Sequence, residues 1–180
     1  MKEIRLHGRG GQGVVKAAQI IVKTIVNDGG YAHFIPFFGV ERKGSPVYGF
    51  LRIDDKPIRL KTQVYEPHCL IVLDDTLVNS VPLFDGLRAD GTVIINSCKD
   101  YSAFASHPNI KTIGIVDATC IAAEEIGRNM PPNTSVLGAF AKTTGLINWD
   151  SLQLEIKKSF GDKNLAAAQR AYETAAIYTL

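Results

Sequence analysis

A glycine cluster at residues 8–13, Gly-Arg-Gly-Gly-Gln-Gly, restricts the fold more than any other feature of this sequence. The alternating residues 4–7 before it predict a β-strand. Polar residues then recur at spacings of three and four between positions 16 and 27, which predicts an amphipathic helix. Asp28-Gly29-Gly30 predicts the end of that helix, and residues 31–38 predict a second strand. A strand–turn–helix–strand unit is the opening of an α/β domain.

The rest of the chain continues this pattern with one interruption. Three β-branched runs at residues 69–73, 92–95 and 111–116 predict parallel strands that are covered on both faces. Residues 47–53 and 57–61 flank a short polar connection and predict a β-hairpin.

Helix signals come from capping residues and from the long final segment. Asp75-Thr76 and Asp117 predict helix N-termini between the strands. From Asn133 onwards the pattern is entirely helical: Asp150 and Gln153 have capping-box spacing, and a last helix is expected at about residues 165–177. We therefore predict an α/β fold, a single three-layer Rossmann-like domain over residues 1–180. It has a mostly parallel sheet, an inserted β-hairpin and a helical C-terminal flank.

Charge and hydropathy exclude several partners. The 20 basic and 18 acidic residues leave a net charge of +2, which predicts neither nucleic acid nor an anionic membrane as the main partner. The N-terminus enters a strand directly, and the longest apolar runs fall far short of the roughly 20 residues of a membrane helix. We expect a cytoplasmic protein.

The three cysteines, Cys69, Cys98 and Cys120, are widely spaced and form no C-x-x-C pair. Each lies in or beside an apolar run, a pattern typical of buried, reduced cysteines. The sequence therefore predicts that this chain alone holds neither an iron–sulfur cluster nor zinc.

The glycine cluster can bind an anion, because a strand-to-helix turn exposes backbone N–H groups at the positive end of the helix dipole. Gly8, Gly10 and Gly13 match G-x-G-x-x-G, although the same glycines also allow a helix to pack close to a sheet. Val14-Val15 replaces the Lys-Ser/Thr pair of a P-loop, which excludes NTP hydrolysis of that type. His33-Phe34 offers no acid for a ribose, which weakens dinucleotide binding.

A second loop, residues 37–46, follows the second strand and is expected at the same sheet edge as the glycines. It combines Phe37-Phe38 with Arg42 between glycines, a composition typical of an interface or a ligand lid. Asp75 at this edge is expected to cap a helix, and the four histidines form no metal or relay constellation.

Five segments together resemble the gamma subunit of the 2-oxoacid:ferredoxin oxidoreductases, and the pyruvate-type members most of all. They are residues 4–13, 39–47, 74–77, 116–119 and 132–139, in the same order along almost the whole chain. A glycine loop alone would not bring the other four segments with it.

The resemblance implies a subunit that is inactive when isolated. In that family alpha and beta subunits hold thiamine diphosphate, iron–sulfur clusters of a ferredoxin-like delta subunit pass electrons to ferredoxin, and coenzyme A accepts the acyl group. Gamma chains occur with several 2-oxoacids, pyruvate among them. The resemblance also implies that coenzyme A contacts the gamma chain. The candidate contact residues are Gly8, Arg9, Gly10, Gly11, Gln12, Gly13, Glu41, Arg42 and Lys43.

Two alternatives stay open from the sequence. An independent NAD(P)-binding Rossmann oxidoreductase would bind nucleotide without partners. A purely structural subunit of the same complex would dock without influencing coenzyme A kinetics. The docking hypothesis predicts exposed apolar surface around Phe37-Phe38.

Overall fold

A computed structural model describes residues 1–37 and 43–180 of the chain, and these residues contain seven strands and five α-helices. The strands are β1 (Lys2–Arg9), β2 (Tyr31–Phe37), β3 (Pro46–Asp54), β4 (Cys69–Val72), β5 (Gly91–Asn96), β6 (Ile110–Val116) and β7 (Ala176–Thr179). The helices are α1 (Val14–Asn27), α2 (Ala118–Glu125), α3 (Asn133–Thr144), α4 (Trp149–Phe160) and α5 (Asp162–Thr174). No helix in the described ranges is long and apolar enough to cross a membrane.

All seven strands form one sheet in the order β2-β3-β1-β4-β5-β6-β7. Its centre is parallel, since β1, β4, β5 and β6 run in the same direction, and both edges are antiparallel. The predicted α/β class with a mostly parallel sheet is thus confirmed. The carboxyl ends of the four central strands meet at one edge, where the glycine cluster lies.

Helix α1 forms where the polar stripe predicted it. Its buried side chains, including Ala17, Ala18 and Ile21, pack on Ile4 and Leu6 of β1. The helix stops at Asp28, whose backbone N–H donates to the Thr24 carbonyl.

The two faces of the sheet are covered differently. All five α-helices contribute to the core on one face. The other face of the central strands is covered by loops and two short 3₁₀ segments, residues 75–79 and 101–103, with Leu77, Leu83 and Phe104 buried there. The third layer of this domain is therefore built from loops and 3₁₀ turns.

The predicted hairpin between residues 47–53 and 57–61 is wrong. Residues 46–54 form β3, but residues 57–61 form no strand and are mostly exposed. Strand β3 already pairs antiparallel with β1 on one side and with β2 on the other, so it has no free edge for a third partner.

The C-terminal segment also departs from the prediction of a wholly helical end. Helix α5 stops at Thr174, and residues 176–179 form strand β7, which pairs antiparallel with β6. Helix α4 is capped by Asn148, whose Oδ1 accepts from the Ser151 N–H at 3.0 Å, rather than by Asp150. Ala-rich α5 is amphipathic to Thr174, and only the free edge of β6 turns the last residues into a strand.

The prediction of three buried cysteines is correct only for Cys69, which lies within β4. Cys98 is exposed because it lies two residues beyond the end of β5, and Cys120 is exposed in the first turn of α2. All three thiols are free. Complete burial raises the pKa of the Cys69 thiol, which is therefore inert.

Candidate anion site at the glycine loop

The glycine loop, residues 8–13, connects β1 to α1, and its glycines serve different purposes. A Cβ on Gly8 would lie 2.5 Å from Val14 Cγ2, and a Cβ on Gly13 would lie 2.8 Å from the Asn133 side chain. These two positions therefore allow close packing. Gly11 has φ of +98°, and a Cβ there would meet nothing within 4 Å. Gly11 is thus the open position of the loop.

A network of side chains fixes the loop to the neighbouring strand end. Gln12 Oε1 accepts from the Arg9 backbone N–H at 2.7 Å, and Gln12 Nε2 donates to Asp74 Oδ2 at 2.7 Å. The Arg9 guanidinium pairs with the same Asp74 oxygen at 3.2 Å and donates to Thr76 Oγ1 at 2.8 Å. The charge of Arg9 is therefore compensated inside the protein.

Asp74 is ionised at the centre of this network. Partial burial alone would raise the pKa of the Asp74 carboxyl, but hydrogen bonds from Thr76 and Gln12 and the Arg9 charge outweigh it and hold that pKa below its ordinary value. Asp74 also accepts from the Thr76 N–H at 3.0 Å and so caps the 3₁₀ segment at residues 75–79. The sequence pattern indicated Asp75 as the cap, but the cap is Asp74. Asp75 already lies in the first turn of the 3₁₀ segment.

The described part of the loop that follows β2 lies against the glycine loop, as the sequence predicts. The Gly10 N–H donates to the Ser45 carbonyl at 2.9 Å, and the Gly44 N–H donates to the Gly10 carbonyl at 3.2 Å. Lys43 is exposed beside this connection. Glu41 and Arg42, which the sequence also indicated as candidates, lie outside the described residues.

Two helix N-termini meet at the glycine loop without a cap. Helices α1 and α3 begin after Gly13 and Pro132, and in the described parts of the chain neither has a capping side chain or an acid in its first turn. Asn133, in the first turn of α3, touches Gly13. The other three α-helices have a polar cap or an early acid, namely Asp117, Asn148 and Asp162. Of the five α-helices, only α1 and α3 thus have a positive N-terminal end that no cap or acid in the described residues compensates.

The next strand end along the same edge is internally satisfied. Asn96 Nδ2 donates to the Leu73 carbonyl at 2.9 Å and to Thr119 Oγ1 at 2.8 Å, which ties β5 to β4 and α2. Ser97 Oγ donates to Asp75 Oδ2 at 2.7 Å, and Lys99 pairs with the same oxygen at 3.0 Å. These residues hold the edge together.

The sheet order argues against a dinucleotide site. In such a site the second strand lies beside β1, and an acid at its tip contacts the ribose. Here β3 separates β2 from β1 and runs antiparallel to both. The edge therefore suits an anion that backbone N–H groups bind, such as a phosphate, with Arg9 and Asp74 fixing the loop.

Sequence reasoning missed His7 and Asn133. His7 is only 7% exposed on the loop-covered face of β1, and its Nε2 has no hydrogen-bond partner in the described residues. Burial, and secondarily the charge of Arg5, lower the pKa of His7 from 6.5 to about 3. The sequence did contain a signal for the position of His7. Successive residues of a strand point to opposite faces of the sheet, so His7 lies on the face opposite to that of Leu6.

We expect His7 to make stability depend on pH. Between its ordinary pKa of 6.5 and its folded pKa of about 3, the unfolded chain binds a proton that the folded chain does not. The free energy of unfolding therefore falls with decreasing pH, by about 1.4 kcal/mol per unit in that window. Urea unfolding between about pH 6 and pH 4 should show a shallower fall in a His7→Phe variant. His33 and His68 are present in the wild type and in the variant, and both contribute to the pH dependence. Equal slopes of unfolding free energy against pH in the two proteins would therefore contradict a neutral buried His7.

The fold and the site define an α/β domain with a glycine loop at the carboxyl edge of its parallel strands, and comparison with known proteins specifies the family. Residues 3–174 match the model of the family described as pyruvate ferredoxin/flavodoxin oxidoreductase, and the chain belongs to this family. It is a gamma-type subunit of a 2-oxoacid:ferredoxin oxidoreductase, a multi-subunit oxidoreductase complex.

Two relatives illustrate the similarity. The chain is 50% identical over 177 residues to the pyruvate synthase subunit PorC of Methanothermobacter marburgensis, with 96% of this chain and 97% of the relative covered. It is 46% identical over 186 residues to the pyruvate/ketoisovalerate oxidoreductases common subunit gamma of Thermococcus kodakarensis, with both chains covered completely.

Solved structures agree with the fold. The crystal structure of the pyruvate oxidoreductase subunit PORC of Thermotoga maritima has a TM-score of 0.85 and 34% identity, and 98% of this chain and 97% of that chain are covered. A 2-oxoglutarate:ferredoxin oxidoreductase from Magnetococcus marinus, with 2-oxoglutarate, coenzyme A and succinyl-CoA bound, shares the fold at a TM-score of 0.72 and 15% identity. The alignment covers 96% of this chain and 30% of that longer one.

Proposed function

We propose that this gamma subunit works in a complex that decarboxylates pyruvate oxidatively. Alpha and beta subunits hold thiamine diphosphate, a ferredoxin-like delta subunit holds the iron–sulfur clusters, and ferredoxin accepts the electrons. The names of the pyruvate synthase relatives support pyruvate as the substrate. The common gamma subunit of the Thermococcus pyruvate and ketoisovalerate enzymes supports a 2-oxoacid pocket outside the gamma chain. We place the complex in the cytoplasm, where the exposed thiols of Cys98 and Cys120 would stay reduced.

The second part of the proposal is that the glycine loop binds the pyrophosphate of coenzyme A. The observation that carries it is the meeting of two uncapped helix N-termini at Gly13 and Asn133. In the described residues no side chain caps these two helix starts, so their first backbone N–H groups can donate to phosphate oxygens, and the dipoles of α1 and α3 favour negative charge. Gly11 leaves open space through which the phosphates can approach.

The side chains of the loop have different roles in this proposal. Arg9 and Gln12 are positioning residues, because their donors already bind Asp74 and Thr76 and so hold the loop backbone in place. Lys43 is exposed beside the loop and can add a charge to the phosphate contact. Glu41 and Arg42 stay candidates from the sequence.

A bulky side chain at Gly11 is expected to weaken coenzyme A binding selectively. In a Gly11→Leu variant of the intact complex, the KM for coenzyme A should rise about tenfold or more, equivalent to about 1.4 kcal/mol. The KM for the 2-oxoacid should stay the same. The measurement is 2-oxoacid-dependent reduction of a dye acceptor, with coenzyme A varied.

The matched control is Gly29→Leu at the other end of α1. Gly29 also has a positive φ, +86°, and open space around its Cβ position, so both variants carry the same kind of backbone strain. An unchanged KM for coenzyme A in both variants, with the complex intact, would support a purely structural subunit instead.

The assembly itself is tested by anaerobic purification through a tag on this chain in its native host. Thiamine-binding chains and a cysteine-rich, ferredoxin-like chain should co-purify together with coenzyme A-dependent pyruvate oxidation. A solitary chain that binds NAD(P) would contradict the proposal and support an independent Rossmann enzyme.

A further inference from the structure

The side-chain amide of Asn133 lies where the starts of α1 and α3 meet. Asn133 is the first residue of α3 and is 4% exposed. Its Cβ, Cγ and Nδ2 atoms lie 2.8 to 2.9 Å from the position that a Cβ of Gly13 would occupy. The missing side chain of Gly13 is therefore what lets this amide lie against the start of α1.

The Asn133 amide has two N–H donors and an acceptor oxygen, and in the described residues it hydrogen-bonds to no other group. Its neighbour Thr134 differs, because Thr134 Oγ1 donates to Asn164 Oδ1 at 3.0 Å. Among the described residues, the fully enclosed side-chain atoms without a partner include Ser135 Oγ but no atom of the Asn133 amide. Such an amide costs free energy in a buried residue, and a ligand that completes its hydrogen bonds offsets that cost.

The backbone offers donors on both sides of this amide. The first N–H group bonded within α1 is that of Ala17, which donates to the Gly13 carbonyl at 2.9 Å. In α3 it is that of Val136, which donates to the Pro132 carbonyl at 3.0 Å. The preceding N–H groups of each helix have no partner within the helix. Two such sets of donors meet at Asn133, an arrangement that suits two linked phosphates better than one.

The charge at this junction favours an anion. In the described residues neither α1 nor α3 has an acid in its first turn, and Lys16 is exposed in the first turn of α1. An aspartate at position 133 would compensate both helix dipoles. Asparagine has the same shape, lacks the charge and adds a donor. That combination fits a site whose negative charge comes from a ligand.

We propose that Asn133 contacts the ligand of the glycine-loop site and determines its specificity. Nδ2 donates to a phosphate oxygen at the junction of α1 and α3, so the site selects a diphosphate group over a single phosphate. The inference rests on the proposed function, in which this group is the pyrophosphate of coenzyme A. It adds a side-chain contact and a selectivity to the backbone contacts.

The experiment measures binding of inorganic pyrophosphate and inorganic phosphate to the full chain by isothermal titration. Pyrophosphate should bind the wild type about tenfold more tightly than phosphate. Asn133→Ala removes the donor and should weaken pyrophosphate binding about fivefold. Asn133→Asp keeps the shape but replaces the donor by a negative charge, so it should weaken binding more than Asn133→Ala does.

Ser135→Ala is the matched control. It also removes an unpartnered buried polar group from the first turn of α3, but Ser135 Oγ is enclosed and cannot reach a ligand. The affinity for pyrophosphate should therefore stay the same. Asn133→Asp adds a second readout, because its carboxylate lies at two positive helix ends. Urea unfolding should show no loss of stability in this variant although its pyrophosphate binding is weakened.

Four results would overturn the proposal. Pyrophosphate does not bind the wild type, phosphate binds as tightly as pyrophosphate, Asn133→Asp binds pyrophosphate like the wild type, or Ser135→Ala weakens binding as much as Asn133→Ala. The last result would assign the loss to packing of the α3 start.

Competition in the intact complex distinguishes this inference from the proposed function. Pyrophosphate that binds through Asn133 but does not compete with coenzyme A would support the contact and contradict the coenzyme A assignment. A raised coenzyme A KM in Gly11→Leu, together with wild-type pyrophosphate affinity in Asn133→Asp, would do the reverse.

Discussion

Replacement of Arg52 by alanine should cost about 3–5 kcal/mol of unfolding free energy, because it leaves a buried ion pair without its cation. Arg52 is 1% exposed and pairs with Glu3 at 2.9 Å. It also donates to the carbonyls of Thr62 at 2.8 Å and Gln63 at 3.1 Å. One side chain thus ties β3 to β1 and to the segment that covers them. Urea unfolding of the full chain measures the loss.

Arg88 provides the control for this prediction. It pairs with Glu66 at 3.3 Å, but both side chains are largely exposed, at 46% and 68%. Exposed ion pairs contribute about 0–1 kcal/mol, so Arg88→Ala should change stability by no more than that. Equal losses in the two variants would show that burial of the Arg52 pair is not what makes it important.

A Gly138→Ala variant should lose stability by about 1–3 kcal/mol, although the same change in an exposed helix gains about 1 kcal/mol. Gly138 lies in α3 where it crosses α5, and a Cβ there would lie 2.0 Å from the Ala168 carbonyl oxygen. That oxygen belongs to the backbone, so the two helices must separate to admit a methyl group. Thermal or urea unfolding of the full chain gives the sign directly.

The sign of the effect decides between two explanations for Gly138. A stabilised variant would show that the α3–α5 contact relaxes easily and that helix propensity dominates. Lys163→Ala on the exposed side of α5 serves as the control, because a surface change of this kind stays within about 0.5 kcal/mol. The buried face of α5 consists of Ala167, Ala168 and Ala171, which is what permits the close crossing.

The local elements were predictable wherever one segment carried its own signal. The glycine loop, the bounds of α1 and the central parallel strands follow from glycine positions, helical periodicity and β-branched runs. The position of the second loop was predictable too, because the carboxyl ends of parallel strands share an edge, and Gly44 and Ser45 indeed bond to Gly10. The role of Arg9 in fixing the glycine loop was not predictable, because its partner Asp74 lies at the end of another strand.

The sequence by itself determined the α/β class, the strand-turn-helix opening and the family, because these depend on local periodicity and on an ordered set of short motifs. Only the tertiary structure decided which strands pair. Residues 57–61 have strand-like composition but find no free edge, whereas residues 176–179 find one on β6. It also decided that α1 and α3 begin side by side, without side-chain caps in the described residues, and that His7 is buried on the loop-covered face of β1. Such features depend on contacts between residues far apart in the chain, where geometry and not composition sets the environment.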